Sequence, residues 1–252
     1  MNAESVARAV PRTVRILAWL GLSLGVACVL AELIAGIGHR LGWWDYRLGI
    51  GILAVSAWVA LGALLASLIG ATLALRNSAQ RLLGIGVAGF VVAALAAGLP
   101  GYSYYVARHV PPIHDISTDT DNPPRFVAAL EARKGAQNTV DYSAATAAQQ
   151  KQGYPDIRPA LIDIPPGTAF ARALAAARSL GWQILASVPA EGRIEAVDTS
   201  LLFGFKDDIV IRVAANGEGS RVDLRSLSRV GRSDIGANAR RIRAFLGELG
   251  AR

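Results

Sequence analysis

The chain has 252 residues, 52% of them hydrophobic, and a formal net charge of +7. That surplus is no single basic surface, because residues 1–107 hold seven Arg against Glu4, Glu32 and Asp45, and residues 108–252 hold nineteen Lys+Arg against sixteen Asp+Glu. A nearly balanced second half excludes a nucleic-acid-binding signature, and a single cysteine, Cys28, excludes an intrachain disulfide framework.

The first half is dominated by three apolar runs. Residues 16–38 carry one charge, Glu32, and residues 48–75 and 82–107 carry none. At 1.5 Å per residue each run is long enough, as a helix, to cross a hydrocarbon core of roughly 30 Å. Three such helices in succession have no soluble partner surface sufficient to bury them on every side. A membrane anchor over 1–107 is therefore expected, followed by a domain on one side of the bilayer. The first run is too long for a signal-peptide core and lacks a small-residue cleavage site, so it is read as retained.

Loop charge sets the expected orientation. Arg8, Arg12 and Arg15 precede the first run, Arg76 and Arg81 lie between the second and third, and Arg40 and Arg47 are diluted by Trp43, Trp44, Asp45 and Tyr46. The positive-inside rule puts the N-terminus and the Arg76–Arg81 loop in the cytoplasm and the C-terminal domain in the periplasm, as a multi-pass protein of a bacterial inner membrane. Trp43, Trp44 and Tyr46, with Tyr102, Tyr104 and Tyr105, form an aromatic belt at one interface.

Two signals inside the runs are ambiguous as letters. Gly84-Ile-Gly86-Val-Ala-Gly89 spells a dinucleotide fingerprint, yet no strand precedes it, so close helix packing is the expected use, as it is for Gly21-x-x-x-Gly25. Glu32 lies six residues before the end of its run, where it is expected to snorkel or to be protonated.

In the second half, residues 108–159 form a Pro-rich lead-in with short helices near 126–134 and 144–152. The core spans 160–252. Residues 160–164 read as a strand, and Pro165-Pro166-Gly167-Thr168 opens a helix with Thr168 as candidate cap, a stripe of Phe170, Leu174, Ala177 and Leu180, and a stop at Gly181. Four strands follow at 182–188, 193–198, 208–214 and 221–229, the last two joined through Asn216-Gly217-Glu218-Gly219. Asp234 or Ser233 is expected to cap a final helix with apolar positions Ile235, Ala239, Ile242, Leu246 and Leu249. Short connections make neighbouring strands antiparallel. The expected class is α+β: three transmembrane helices, then a mostly antiparallel sheet with two helices on one face, the other face being covered by the lead-in or left open.

Polar chemistry concentrates between Lys206 and Asn238. Alternation sets Ile209, Ile211 and Val213 on one strand face and Asp208, Val210 and Arg212 on the other. On the next strand the inward set Val222 and Leu224 continues as Ser226 and Ser228. Hydroxyls at core parity beside Arg225 and Arg229 suggest a polar network, a bulge or a site. The candidate ligand-binding residues are Asp208, Arg212, Arg225, Ser226, Ser228, Arg229, Arg232, Asp234 and Asn238. Arg229 and Arg232 beside a helix N-terminus would suit an anion, and salt bridges to Asp207, Asp208, Asp223 and Asp234 are the structural alternative. Catalytic templates are missing: there is no G-x-S-x-G elbow, and His39, His109 and His114 all lie near the membrane segments. Asp119-Thr-Asp121 lacks the third ligand and the glycine of a calcium loop, so neither metal nor cofactor is expected.

The runs "GFKDDIVIRV" and "VDLRSLSRVGRSDIGANARRIRAFLGEL", with the lead-in "ISTDTDNPPRF" and "YPDIRP", resemble the domain-of-unknown-function family 1499, in particular its membrane-anchored members. The resemblance covers roughly residues 112–249. It implies a single α+β domain and no established catalytic role, with Asp207, Asp208, Arg225, Ser228, Arg229, Gly231, Asp234, Gly236 and Asn238 as signature positions. The expected function is an envelope protein whose outer domain binds a lipid head group or a protein partner, with membrane lipids as partners and no nucleic acid. The rival is an enzyme acting on a membrane-associated substrate through Asp208, Arg212, Arg225 and Ser228.

Overall fold

The computed structural model describes residues 10–250; Arg8, one of the orientation charges, lies outside them. The chain divides into two compact units. One holds the N-terminal helices to Tyr104 together with Leu202–Gly204, and the other holds Tyr105–Leu201 and the chain from Phe205 onward.

In the helical unit, α1 (Arg12–Arg40), α2 (Tyr46–Arg76) and α3 (Gln80–His109) are each long and apolar enough to cross a membrane. Their large side chains face outward, with Trp58 76% and Leu99 69% exposed, while Ala18, Ala60, Ala63, Ala93 and Ala96 are buried. This is an inside-out arrangement: with lipid as solvent, small residues let backbones approach and large apolar ones meet the acyl chains. A Cβ on Gly70 would stand 2.7 Å from the Ala18 amide nitrogen, and one on Gly89 would stand 2.8 Å from that of Leu22. Gly86 is equally tight against Ala71, so Gly86 and Gly89 of the G-x-G-x-x-G run are packing positions, while Gly84 faces open space. Asp45 caps α2 by accepting from the Arg47 amide. Ser56 donates to the Cys28 carbonyl across α1 and α2. Glu32 faces the inside of the helical unit. It is buried, and its Oε1 has no hydrogen-bond partner among the described residues.

The second unit is built on a six-stranded sheet in which every pairing is antiparallel. The elements are β1 (Asp115–Ser117), α4 (Ala129–Ala132), α5 (Ala144–Gly153), β2 (Ala160–Ile162), α6 (Pro166–Ser179), β3 (Gln183–Val188), β4 (Arg193–Thr199), β5 (Lys206–Asn216), β6 (Gly219–Ser228) and α7 (Ala237–Glu248). The order across the sheet is β1-β6-β5-β4-β3, and β2 shares the outer edge of β6 with β1. Strand β1, three residues long, has no alternation to announce it. The lead-in helix expected near 126–134 shrinks to the four residues of α4.

Two capping expectations need correction. Helix α6 starts at Pro166, at the first helical position with Pro165 as N-cap, so Thr168 lies inside the helix. Pro is favoured there because its missing N–H costs nothing in the first turn. Helix α7 starts at Ala237 with Gly236 (φ +73) as N-cap, leaving Ile235 outside it at φ +53. Asp234 serves the helix from two residues before the cap, accepting from the amides of Gly236 (2.8 Å) and Asn238 (2.7 Å).

One sheet face carries Ile194, Ala196, Ile209, Ile211, Val213, Val222 and Leu224, packed against Phe170, Ala173 and Ala177 of α6 and Ala239, Ile242 and Phe245 of α7. Trp182 stacks on Phe245 at 5.7 Å. The lead-in covers the opposite face, where Phe126 and Ala129 pack on Val210 and Leu227. A bulge in β3 between Ile184 and Ala186 accompanies Leu185 joining that second cluster.

Candidate functional site

The lead-in is fastened to its sheet face by buried ions. Strand parity aims Asp208, Arg225, Arg229 and Glu195 at it, and each finds a partner. Arg225 donates to Asp115 through Nε (3.0 Å) and Nη2 (2.6 Å) and to the Val140 carbonyl (2.6 Å). Its guanidinium lies between the rings of Phe126 (5.1 Å) and Tyr142 (5.4 Å). Asp208, fully buried, accepts from Arg229 Nε (2.9 Å) and Nη2 (2.7 Å) and from Arg133 Nη1 (2.5 Å). Glu195, equally buried, accepts from the amides of Val127, Ala128 and Ala129 at 2.8–3.1 Å and from Arg193. Gln150 grips both backbone groups of Ser117.

Further along the same face, Arg212 and Arg221 share Asp223 and Asp119. Burial pushes the Asp115 carboxyl upward, opposed by Arg225, and lowers the Arg133 guanidinium, opposed by Asp208. Buried charges survive only when paired and hydrogen-bonded in this manner.

The serines lie on the other side of the sheet. Ser226 Oγ donates to Asn238 Oδ1 (2.7 Å), and Asn238 Nδ2 donates to Ser228 Oγ (3.0 Å) and to the His114 carbonyl (2.9 Å). Arg241 donates to Asp198 (2.9 Å), Asp207 (2.6 Å), Ser226 and Asn238. The sheet therefore divides the expected Asp208/Arg212/Arg225/Ser228 cluster, with Ser228 on the helix face and the three charged residues on the lead-in face. Asp207 and Asp208, adjacent in sequence, serve α7 and the lead-in respectively.

Of the nine candidate residues, Arg232 alone is an exposed cation without an ion-pair partner among the described residues. It stands in the corner between β6 and α7, where Gly231 (φ +90), Ile235 and Gly236 all take left-handed backbone. For the β-branched Ile235 this costs on the order of 1–3 kcal/mol, held in place by the surrounding bonds. Asp234 is pushed upward in pKa, chiefly by burial, while its amide donors pull the other way.

The corner rests on the segment that follows α3. The Asp234 amide donates to the Ile113 carbonyl (3.2 Å), and His114 Nδ1 lies 3.2 Å from the Arg232 carbonyl oxygen. Beside it a depression of about 310 Å³ is lined in part by Trp182, Asp198, Arg240 and Arg241. Arg240 links the two, donating from Nη1 to the Ile235 carbonyl while remaining exposed.

Residue-by-residue reading of the strands missed Glu195, Arg133 and Asp115, the ions that make the lead-in part of the domain. Arg193 and Glu195 on one strand parity were the available signal. Arg133 gave none, because its segment has no periodicity.

Three apolar helices and an antiparallel sheet clasped between two helices and an ion-fastened lead-in define an α+β domain protein with a candidate membrane anchor. The chain belongs to the family described as protein of unknown function (DUF1499), whose model matches residues 115–249, more than half of its length. No curated protein matches it.

Proposed function

We propose that this is a multi-pass protein of a bacterial cytoplasmic membrane, with its N-terminus inside and its α+β domain on the far side, where the Arg232–Arg240 corner binds anionic phospholipid head groups. The observation that carries this reading is the corner's position. Two exposed cations, Arg232 and Arg240, stand at a corner that rests on the segment following α3, within a few residues of the end of an apolar helix, and anionic head groups would be complementary to them. Arg229 takes no part, because Asp208 holds it. The guanidinium groups of Arg232 and Arg240 would take phosphate oxygens, and the Trp182 side of the depression would take the apolar glycerol end.

Titration of the full chain in zwitterionic detergent with a short-chain anionic phospholipid tests this. Arg232→Ala with Arg240→Ala is expected to weaken binding by about 2 kcal/mol, at about 1 kcal/mol per arginine, with affinity falling as salt rises. Unchanged binding in the double variant overturns the reading. The orientation is tested separately by reporter fusions at Asn77, expected to be cytoplasmic, and after the C-terminal residue, expected to be extracytoplasmic; the reverse pattern at both overturns it.

A further inference from the structure

The connection from β4 to β5 reads Ser200-Leu201-Leu202-Phe203-Gly204-Phe205, four large apolar side chains at a hairpin tip, where polar turn residues are the rule. The tip is preformed. The Ser200 amide donates to the Phe205 carbonyl (2.8 Å), Ser200 Oγ accepts from the Phe205 amide (2.9 Å), and Gly204 at φ +69 makes the turn. Leu201 is 89% exposed, the highest value among the large apolar residues described.

The sheet register fixes which end of the domain carries this tip. Thr199 pairs with Lys206, Asp207 with Ser228, and Leu227 with Asp115, the first residue of β1. The Arg229 amide donates to the Lys206 carbonyl. The apolar tip therefore shares one end of the sheet with the corner at Arg232 and with the chain arriving from α3. The opposite end carries Pro189-Ala190-Glu191-Gly192 and the Gly217-Glu218 turn, neither with a large apolar side chain. Leu202–Gly204 also cluster with the three helices as one compact unit. Inside that unit the side chains of Leu202 and Phe203 fill the space over Gly36 and Gly49, where a Cβ would meet them at 2.3 and 2.9 Å.

We propose that the β4–β5 tip is a second membrane contact, with Leu201 facing acyl chains. Leu201, left exposed at the end of the domain where the chain arrives from α3, leaves water by entering the bilayer. The inference does not depend on head-group binding, and it is tested in lipid without net charge.

The test uses the full chain in zwitterionic nanodiscs, with Cys28→Ala removing the native thiol. An environment-sensitive fluorophore is placed on Leu201→Cys and, separately, on Glu218→Cys at the opposite end of the sheet. The label at 201 is expected to emit at shorter wavelength and to be quenched by lipids brominated in their acyl chains. The label at 218 is expected to be quenched by aqueous iodide alone. Iodide quenching of both labels overturns the proposal, and so does protection of 201 from both quenchers, which would put a protein there. Because a labelled variant can misfold, a second measurement uses the unsubstituted chain. Lipid-borne carbene reagents are expected to mark the peptide containing residues 200–205 and to spare that containing 215–219; the opposite labelling overturns the proposal.

Discussion

On the helix-covered face of the sheet, Ile194, Ile209, Ile211 and Leu224 meet Ala173, Ala177, Ile242 and Phe245, and no charge intrudes on that centre. On the lead-in face, the same strands present Asp208, Arg225 and Glu195 to Arg133, Asp115 and backbone amides, with only a small apolar cluster around Phe126 and Val210. The helices arrive with their backbone groups already bonded and need only apolar contact. The lead-in has little regular structure, so its amides and carbonyls need partners, and side chains on the sheet supply them. Glu195 taking three successive amides and Arg225 taking the Pro124 and Val140 carbonyls are that service. Ions on a sheet face are thus the cost of covering it with irregular chain, and they need no substrate to explain them.

The largest expected effect is Asp208→Ala. It leaves Arg133, whose side chain is 4% exposed, without its carboxylate, and stability is expected to fall by about 3–5 kcal/mol. Pulse proteolysis of the full chain in detergent measures this. A loss no larger than that of an exposed pair, about 1 kcal/mol, would show that the lead-in is not fastened by its ions. On the other face, Leu224→Ala is expected to cost about 2–5 kcal/mol as a cavity.

A double-mutant cycle then tests whether the faces act separately. Asp115→Ala with Arg225→Ala is expected to show a coupling of about 0.5–3 kcal/mol, and Asp115→Ala with Ile242→Val is expected to be additive within about 0.5 kcal/mol. Strong coupling across the sheet would break the distinction.

The smallest effect concerns pH. Hydrogen bonds from Arg243 hold the Asp156 carboxyl below its ordinary range. Its contribution is present above the unfolded carboxylate value of about 3.9 and is lost as pH falls through the lower folded value. Asp156→Asn should therefore be less stable than the parent at neutral pH and converge with it in acid. Both partners are about half exposed, so the gap is expected to be about 0.2–1 kcal/mol.

Legibility followed periodicity. The three apolar helices, α6, α7 and the later strands were readable because a repeating pattern marks what an element buries. Asp208 and Arg212 were correctly placed on one strand face and Ser226 at core parity on the next. Strand β1 and helix α4 were not readable as they stand, being three and four residues long. Ile235 was assigned to α7 by its spacing, but Gly231, Asp234 and Gly236 turn the chain there in a left-handed path that spacing alone does not encode.

Sequence by itself determined the division into an apolar helical part and an α+β domain, the antiparallel pairing, and the family, because composition, short connections and local motifs are one-dimensional properties. Only the tertiary structure decided what the charged residues do. Arg225 meets Asp115 across 110 positions and Arg133 meets Asp208 across 75, and no local pattern records a partner so distant. It also decided which end of the sheet carries the Leu201 tip. Strand register joins Leu227 to Asp115 and Ser228 to Asp207, and register is set by the packing of whole faces rather than by any one residue.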